Sequence, residues 1–242
     1  MDEDILSRKI FIIFLFLLSI FFGNGFAWSD PVEIGVNALE RKHYATALRA
    51  WLPAAKNGNP RAQNNVGFAY EKGLGVSQSY TLAIEWYRKA ASSDLAEAQH
   101  NLGMIYFNGY GVEKNYKESI LWFDKAAKRG IPESEFMLGR HYHEGYGVLI
   151  QPYKALDWYL KSARNGYVAA QFLAAYLFLS GDAGEIEPFK ARVWAEVAKR
   201  QGYEDAALVA EYSEYKLKKS QINLAKKRAT ICLDSGYQNC PK

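Results

Sequence analysis

With 242 residues, 49% of them hydrophobic and 15% aromatic, the chain has enough apolar material for a large core, which excludes an intrinsically disordered protein. The formal charge is +4, and Lys, Arg, Asp and Glu are interspersed along the sequence without a basic stripe. That pattern argues against an electrostatic nucleic-acid binder.

The chain opens with a targeting pattern. Arg8 and Lys9 precede an apolar run from Ile10 to Phe22, broken only by Ser19, and Gly25-Phe26-Ala27 places small residues before a cleavage point. This predicts a secretory signal peptide over residues 1–27, cut after Ala27, and delivery to the periplasm or the medium. The run is shorter than the roughly 20 residues that span a bilayer. The alternative is an uncleaved segment anchored in the inner membrane, because Asp2, Glu3 and Asp4 are unusual at the head of a signal; this segment is the sole membrane contact expected. Cleavage leaves 28 basic and 23 acidic residues, a net charge of +5.

Internal repetition governs the rest. Trp86, Trp122, Trp158 and Trp194 recur every 36 residues, and Trp51 falls one residue short of that period. In phase with them run Ala62, Ala98, Ser134, Ala170 and Ala206, then Gly67, Gly103, Gly139 and Ala175, then Tyr70, Tyr106, Tyr142 and Phe178. Paired glycines follow at 73/75, 109/111 and 145/147, each pair leading into Val76, Val112 or Val148. Asp94, Gly130, Gly166 and Gly202 close the units.

Each unit reads as two helices. The positions from Ala62 to Glu71 share one helical face, and Gly73 and Gly75 end that helix where positive φ is wanted. Ser79 or Asn115 caps the next helix, and Pro188 suits the first turn of its equivalent in unit four. Ala83, Trp86 and Ala90 form the buried stripe of the second helix. Trp51, Trp86, Trp122, Trp158 and Trp194 are therefore expected as the structural core between stacked units, each burial removing 150–250 Å² of surface, worth about 4–6 kcal/mol gross. No unit buries both faces alone, so the array stands only by stacking.

The pattern A-x4-G-x2-Y-x2-G-x-G-V…A-x2-W-x3-A-A-x2-G, as in Ala62 to Ala91, resembles the Sel1-like repeat, a relative of the tetratricopeptide repeat with a longer unit. The resemblance implies an all-α fold, an α/α right-handed superhelical solenoid. Four units are assigned to 61–205, at about 62–97, 98–133, 134–169 and 170–205. Residues 28–60 read as an N-terminal tetratricopeptide-like pair, with a first helix at Val36 to Lys42 and a short Arg41-Lys42-His43 turn in place of the glycine loop. Unit four departs from the pattern at Ala175, Phe178 and the Gly181-Asp182-Ala183-Gly184 loop. Residues 206–242 read as capping helices, where Cys232 and Cys240 either form one disulfide, as an exported protein permits, or stay as free thiols.

Catalytic constellations are not legible. His43, His100, His141 and His143 include no i,i+4 metal pair, and His141 and His143 are expected as partly exposed surface residues. Glu133 and Glu135 are expected to face solvent at a helix start. No serine-nucleophile elbow, S-x-x-K or phosphate-binding glycine loop is present, and no cofactor or metal is expected.

By resemblance to tetratricopeptide arrays, the first helix of each unit lines a concave face. Asn64, His100, Phe136 and Phe172 form one rung; Phe68, Met104, Arg140 and Tyr176 a second; Glu71, Phe107, His143 and Leu179 a third, flanked by Lys72, Asn108 and Glu144. Such an aromatic surface suits a protein or peptide partner. The second rung reads either as groove or as core between helices. The resemblance implies a non-catalytic interaction scaffold, expected to be monomeric, serving envelope signalling or contact with a host. The alternative is a periplasmic cell-wall enzyme with weak β-lactamase-like activity, or a binder of β-lactams or peptidoglycan fragments. The relatives associated with β-lactams carry cysteines in each repeat, and this chain does not.

Overall fold

A computed structural model describes residues 30–242; the signal-peptide reading and the cut after Ala27 lie outside them. The described residues form twelve α-helices and no strand. In order these are α1 (Pro31–Glu40), α2 (Tyr44–Lys56), α3 (Pro60–Lys72), α4 (Tyr80–Ser92), α5 (Ala96–Asn108) and α6 (Tyr116–Lys128). They continue as α7 (Pro132–Glu144), α8 (Pro152–Arg164), α9 (Val168–Ser180), α10 (Pro188–Arg200), α11 (Ala206–Glu214) and α12 (Lys219–Asp234). From α1 to α11 each helix packs on its chain neighbours, giving an α/α solenoid of hairpins, and α12 packs back on α10. α5 and α7, and α9 and α11, also approach one another. Among the described residues no helix is long and apolar enough to cross a membrane.

Local chemistry sets the helix ends. Asn59 Oδ1 accepts the Ala62 N–H at 3.0 Å, Ser79 Oγ that of Leu82 at 3.3 Å, and Asn115 Oδ1 that of Glu118 at 3.0 Å. Pro60, Pro132, Pro152 and Pro188 occupy first helical turns, where the missing N–H has no partner to lose. α3, α5 and α7 stop at Gly73, Gly109 and Gly145, with φ of 69°, 77° and 76°. The second glycine of each pair is there for close approach as well: a Cβ on Gly75 would lie 2.6 Å from the Ala45 backbone nitrogen. The glycine loop of each unit thus rests on the start of the previous second helix.

The tryptophan stripe needs correction. Trp51 and Trp194 are fully buried, whereas Trp86, Trp122 and Trp158 are half-buried, packed against neighbouring cores with Lys89, Lys125 and Lys161 4.2 to 5.0 Å over their rings. The rings at the heart of the first three units are Tyr87, Phe123 and Tyr159, one residue later and fully buried. Each lies over a helical glycine; a Cβ on Gly67, Gly103 or Gly139 would stand 2.8, 2.6 or 2.5 Å from the facing ring. Trp51 is their counterpart, 36 residues before Tyr87, and it lies over Gly35 with its Nε1–H donated to the Val32 carbonyl at 3.1 Å. Its apparent slip of one residue is therefore a change of side chain at the ring position. In unit four both partners change size together, Ala175 for glycine and Ala195 for the ring, and both are buried. The first helix of the N-terminal pair is Pro31–Glu40, which starts before the expected Val36 because Asp30 caps it, accepting the Val32 N–H at 3.0 Å.

Beyond the repeats, α11 and α12 close the array on α10. Buried Arg192 holds this end together: its Nε donates to Glu214 at 2.9 Å and its Nη1 to Glu196 at 2.8 Å, while Arg200 Nε reaches the other Glu196 oxygen at 2.8 Å. Cys232 and Cys240 are bonded to each other.

Candidate functional site

The odd-numbered helices carry the three anticipated rungs, and much of the first rung bridges units. The Asn101 side-chain N–H donates to Asn64 Oδ1 at 3.0 Å, His100 Nδ1 lies 2.8 Å from Ser134 Oγ, Phe136 packs on Tyr167 at 4.9 Å between ring centroids, and Phe172 stacks on Tyr203 at 4.9 Å. In the second rung Phe68 and Met104 are partly buried against the cores of neighbouring units, Arg140 is half-buried and Tyr176 is exposed. The Arg140 guanidinium lies 5.7 Å from both the Phe107 and Tyr146 centroids, a cation–π clamp that holds it on this face.

The third rung is knitted to the second helices. Tyr87 donates its hydroxyl to Glu71 at 2.8 Å, and burial together with that carboxylate pushes the phenol pKa up. Glu71 also pairs with Lys72 at 2.6 Å. Phe107 sits among Tyr116, His141 and Tyr146, with centroids 5.3 to 5.5 Å away. His143 Nδ1 is 3.4 Å from the Tyr159 hydroxyl, and Leu179 packs on the C-terminal core. Asn108 folds its side chain onto the Met104 carbonyl at 2.9 Å, whereas Glu144 is exposed.

Two polar residues are not where the sequence put them. His141 is fully buried: its Nδ1 lies 2.6 Å from the Tyr146 carbonyl and must donate, so Nε2 accepts from Ser119 Oγ at 2.9 Å. Burial lowers its pKa, the Tyr146 hydrogen bond opposes that shift, and Arg140 adds to it. Ser119 holds the place of Ala83 and Ala155, so the histidine is satisfied by a matched change in the facing helix. Glu135 is also fully buried, at the position occupied by Gln63, Gln99 and Gln171 in the other units. Where Gln63 and Gln171 donate to the Ala55 and Ala163 carbonyls at 3.1 and 3.2 Å, Glu135 instead takes Lys161 at 3.2 Å and Asn165 at 2.8 Å.

The face also extends further than its anticipated rungs. Leu208, Tyr212 and Tyr215 lie 36 residues after Phe172, Tyr176 and Leu179, so they continue all three rungs onto and just past α11. They are 58%, 61% and 76% exposed, and Tyr176 beside them is 42% exposed. The open apolar surface of this layer is therefore concentrated at its C-terminal end. The period alone predicts these positions; the fading of the small-residue signature after Ala206 hid them.

The Sel1 repeat model matches residues 60–95, 96–131, 132–167 and 168–203, more than half of the chain. The chain belongs to the Sel1 repeat family. Its Sel1 units run from the first residue of one odd-numbered helix to the turn before the next, about two residues ahead of the boundaries drawn from the sequence. The Sel1 repeat protein from Oxalobacter formigenes is similar at 28% identity and a TM-score of 0.71, covering 86% of this chain and 84% of that one. The c5321 protein, a protective antigen of uropathogenic Escherichia coli strains with an SLR fold, is similar at 28% identity and a TM-score of 0.74 over 86% of this chain and 49% of its own. No curated protein matches the chain.

Proposed function

We propose that this Sel1 repeat chain is an exported, monomeric, non-catalytic scaffold that captures a protein partner along the odd-helix face. The carrying observation is the cluster of Tyr176, Leu208, Tyr212 and Tyr215, large side chains left in water at one end of an otherwise self-satisfied surface. Aromatic anchors of this kind dominate interface energetics, and truncating a central one costs about 2 kcal/mol or more of binding. The partner segment seats apolar side chains on this end and polar ones along Arg140, His143 and Asn64. Export is supported by the residue 1–27 pattern and by the cysteine pair, since disulfides persist in oxidising compartments. We place the activity in the envelope, in signalling or in contact with a host; c5321, described as a protective antigen, is similar in fold.

Crosslinking and pull-down with the mature chain test the reading. Tyr212→Ser with Tyr215→Ser, and separately Phe136→Glu with Arg140→Glu, should reduce recovery of a specific partner by about tenfold while helicity is unchanged. Equal recovery by both double variants would remove the face from consideration. Saturable turnover of a penicillin-type substrate would overturn the non-catalytic reading.

A further inference from the structure

The even-numbered helices form inter-unit grooves, each marked by a tryptophan, and those at Trp194, Trp158 and Trp122 differ in what fills them. Trp194, between α8 and α10, is wholly covered by the segment that returns after α12. There the Tyr237 ring would lie 3.2 Å from a Cβ on Gly166, its hydroxyl donates to Gln201 Oε1 at 2.8 Å, and Trp194 Nε1 donates to the Pro241 carbonyl at 3.0 Å. The Cys232–Cys240 bond fixes that return. At Trp158, between α6 and α8, Lys161 and Asn165 turn in toward buried Glu135, and the open volume of about 310 Å³ at the ring is lined by Lys154, Asp157 and Lys161 of α8 alone.

The groove at Trp122, between α4 and α6, differs from both. It holds a cavity of about 340 Å³ lined by Asp94, Trp122 and Arg129, which stand 72 residues before Gly166, Trp194 and Gln201. The open volume thus lies at the repeat position that the Tyr237 ring fills two units later. Its walls have the opposite character. Leu160, Val197 and Gln201 of the filled groove are here Arg88, Lys125 and Arg129, and Lys128 stands with them against one lining acid, Asp94. Lys125 lies 4.2 Å above the Trp122 ring and the indole N–H is held by Glu118 at 2.9 Å. Arg129 is paired with Asp94 at 2.8 Å, Lys128 with Asp124 at 2.6 Å, and Arg88 donates to the Tyr106 hydroxyl at 2.6 Å, so an incoming carboxylate exchanges with these partners.

We infer that the Trp122 groove is a docking site for a short acidic peptide segment carrying an aromatic side chain, supplied by a partner protein. The aromatic ring enters beside Trp122 as Tyr237 does beside Trp194, and the flanking carboxylates meet Arg88, Lys125 and Lys128. The even-numbered helices together carry a net charge of +12 and the odd-numbered ones −6, so the field of this layer draws an acidic segment to it. This site lies on the opposite layer from the proposed partner face and does not depend on it.

The test uses the mature chain, 15N-labelled, and the peptide EDYED, with QNYQN lacking the charge and EDAED lacking the ring. EDYED should bind saturably at low ionic strength and shift the Trp122 indole resonance, and both control peptides should bind about tenfold more weakly. Lys125→Glu with Lys128→Glu should weaken EDYED by a similar factor with helicity unchanged. Ser92→Phe, at an exposed wall position, should block the cavity without altering charge. Equal binding of EDAED, or binding untouched by both variants, overturns the inference. So does a monomer–dimer equilibrium, lost in Lys125→Glu with Lys128→Glu, in a chain that ignores EDYED, because the groove would then seat a second copy.

Discussion

A Cβ added to Gly103 would stand 2.6 Å from the Phe123 ring, inside any tolerable contact, and the same holds at Gly67 and Gly139. Gly103→Ala should therefore lower stability by about 1–3 kcal/mol through overpacking, although alanine is the better helix former. Ala175→Gly, at the unit where the facing residue is Ala195, should cost only about 0.5–1 kcal/mol from helix propensity. Urea unfolding midpoints of the two variants separate these outcomes; equal losses would mean the ring contact is unimportant. His141 offers a second check. Its folded pKa lies below the unfolded value of about 6.5, so the unfolded chain takes up the proton first. The stability it contributes is present above about pH 6.5 and is lost as pH falls toward the folded value. Burial shifts His100 in the same direction, against the opposing charge of Glu133. Unfolding midpoints should hold steady from pH 8 to 7 and then fall toward pH 5, and His141→Gln should flatten that slope. At Glu135, substitution by glutamine restores the residue that Gln63 and Gln171 use to bond the preceding helix. Glu135→Gln should stay within about 1 kcal/mol of the parent, while Glu135→Ala leaves a buried hole and costs more. A melting-temperature comparison of the three proteins decides between a structural glutamine slot and a required carboxylate.

At the scale of the element, the sequence was most informative where backbone chemistry is local. Ser79, Asn115, Pro188 and the glycines at 73, 109 and 145 mark the helix ends that form, because caps and positive φ depend on a few adjacent residues. The rungs came from the resemblance to tetratricopeptide arrays, and the period of 36 extends them to Leu208, Tyr212 and Tyr215. What the sequence obscured depends on facing elements. Trp86 and Tyr87 are adjacent and both aromatic, and only the glycine on the opposing helix decides which ring lies at the centre. His141 and Glu135 look like surface residues until Ser119, Lys161 and Asn165 are brought against them from other helices. Charge was misleading for a related reason: it is interspersed along the chain because opposite layers alternate in sequence. The return segment after α12 is an element of this kind too, defined by what it covers. Reducing the Cys232–Cys240 bond should remove about 2–3 kcal/mol in the chain-entropy model, free Tyr237 and Pro241 from the α8–α10 groove, and red-shift tryptophan emission as Trp194 meets water. An emission spectrum unchanged by dithiothreitol would show that the segment holds by packing alone.

At the scale of the whole molecule, two layers of opposite charge run along the array, one apolar at its C-terminal end and one basic throughout. The two docking surfaces proposed above lie on different layers, so both can be occupied at once. The two ends of the array differ in kind. At the N-terminal end the Arg41-Lys42-His43 turn and the Gly35–Trp51 contact replace the glycine loop and its ring, and at the other the return segment covers the last tryptophan. Between them, Gly67 with Tyr87, Gly103 with Phe123 and Gly139 with Tyr159 are the same joint made three times. That makes the middle of the protein a place where length is editable. A duplicate of residues 96–131 spliced in after Ile131 meets compatible surfaces on both sides, so a five-unit protein should fold and melt no lower than the parent. The same splice after Tyr203 would face Ala175 and Ala195 and displace the Tyr237 segment, and it should melt lower. Gene duplication has room to act at one seam and is resisted at the other.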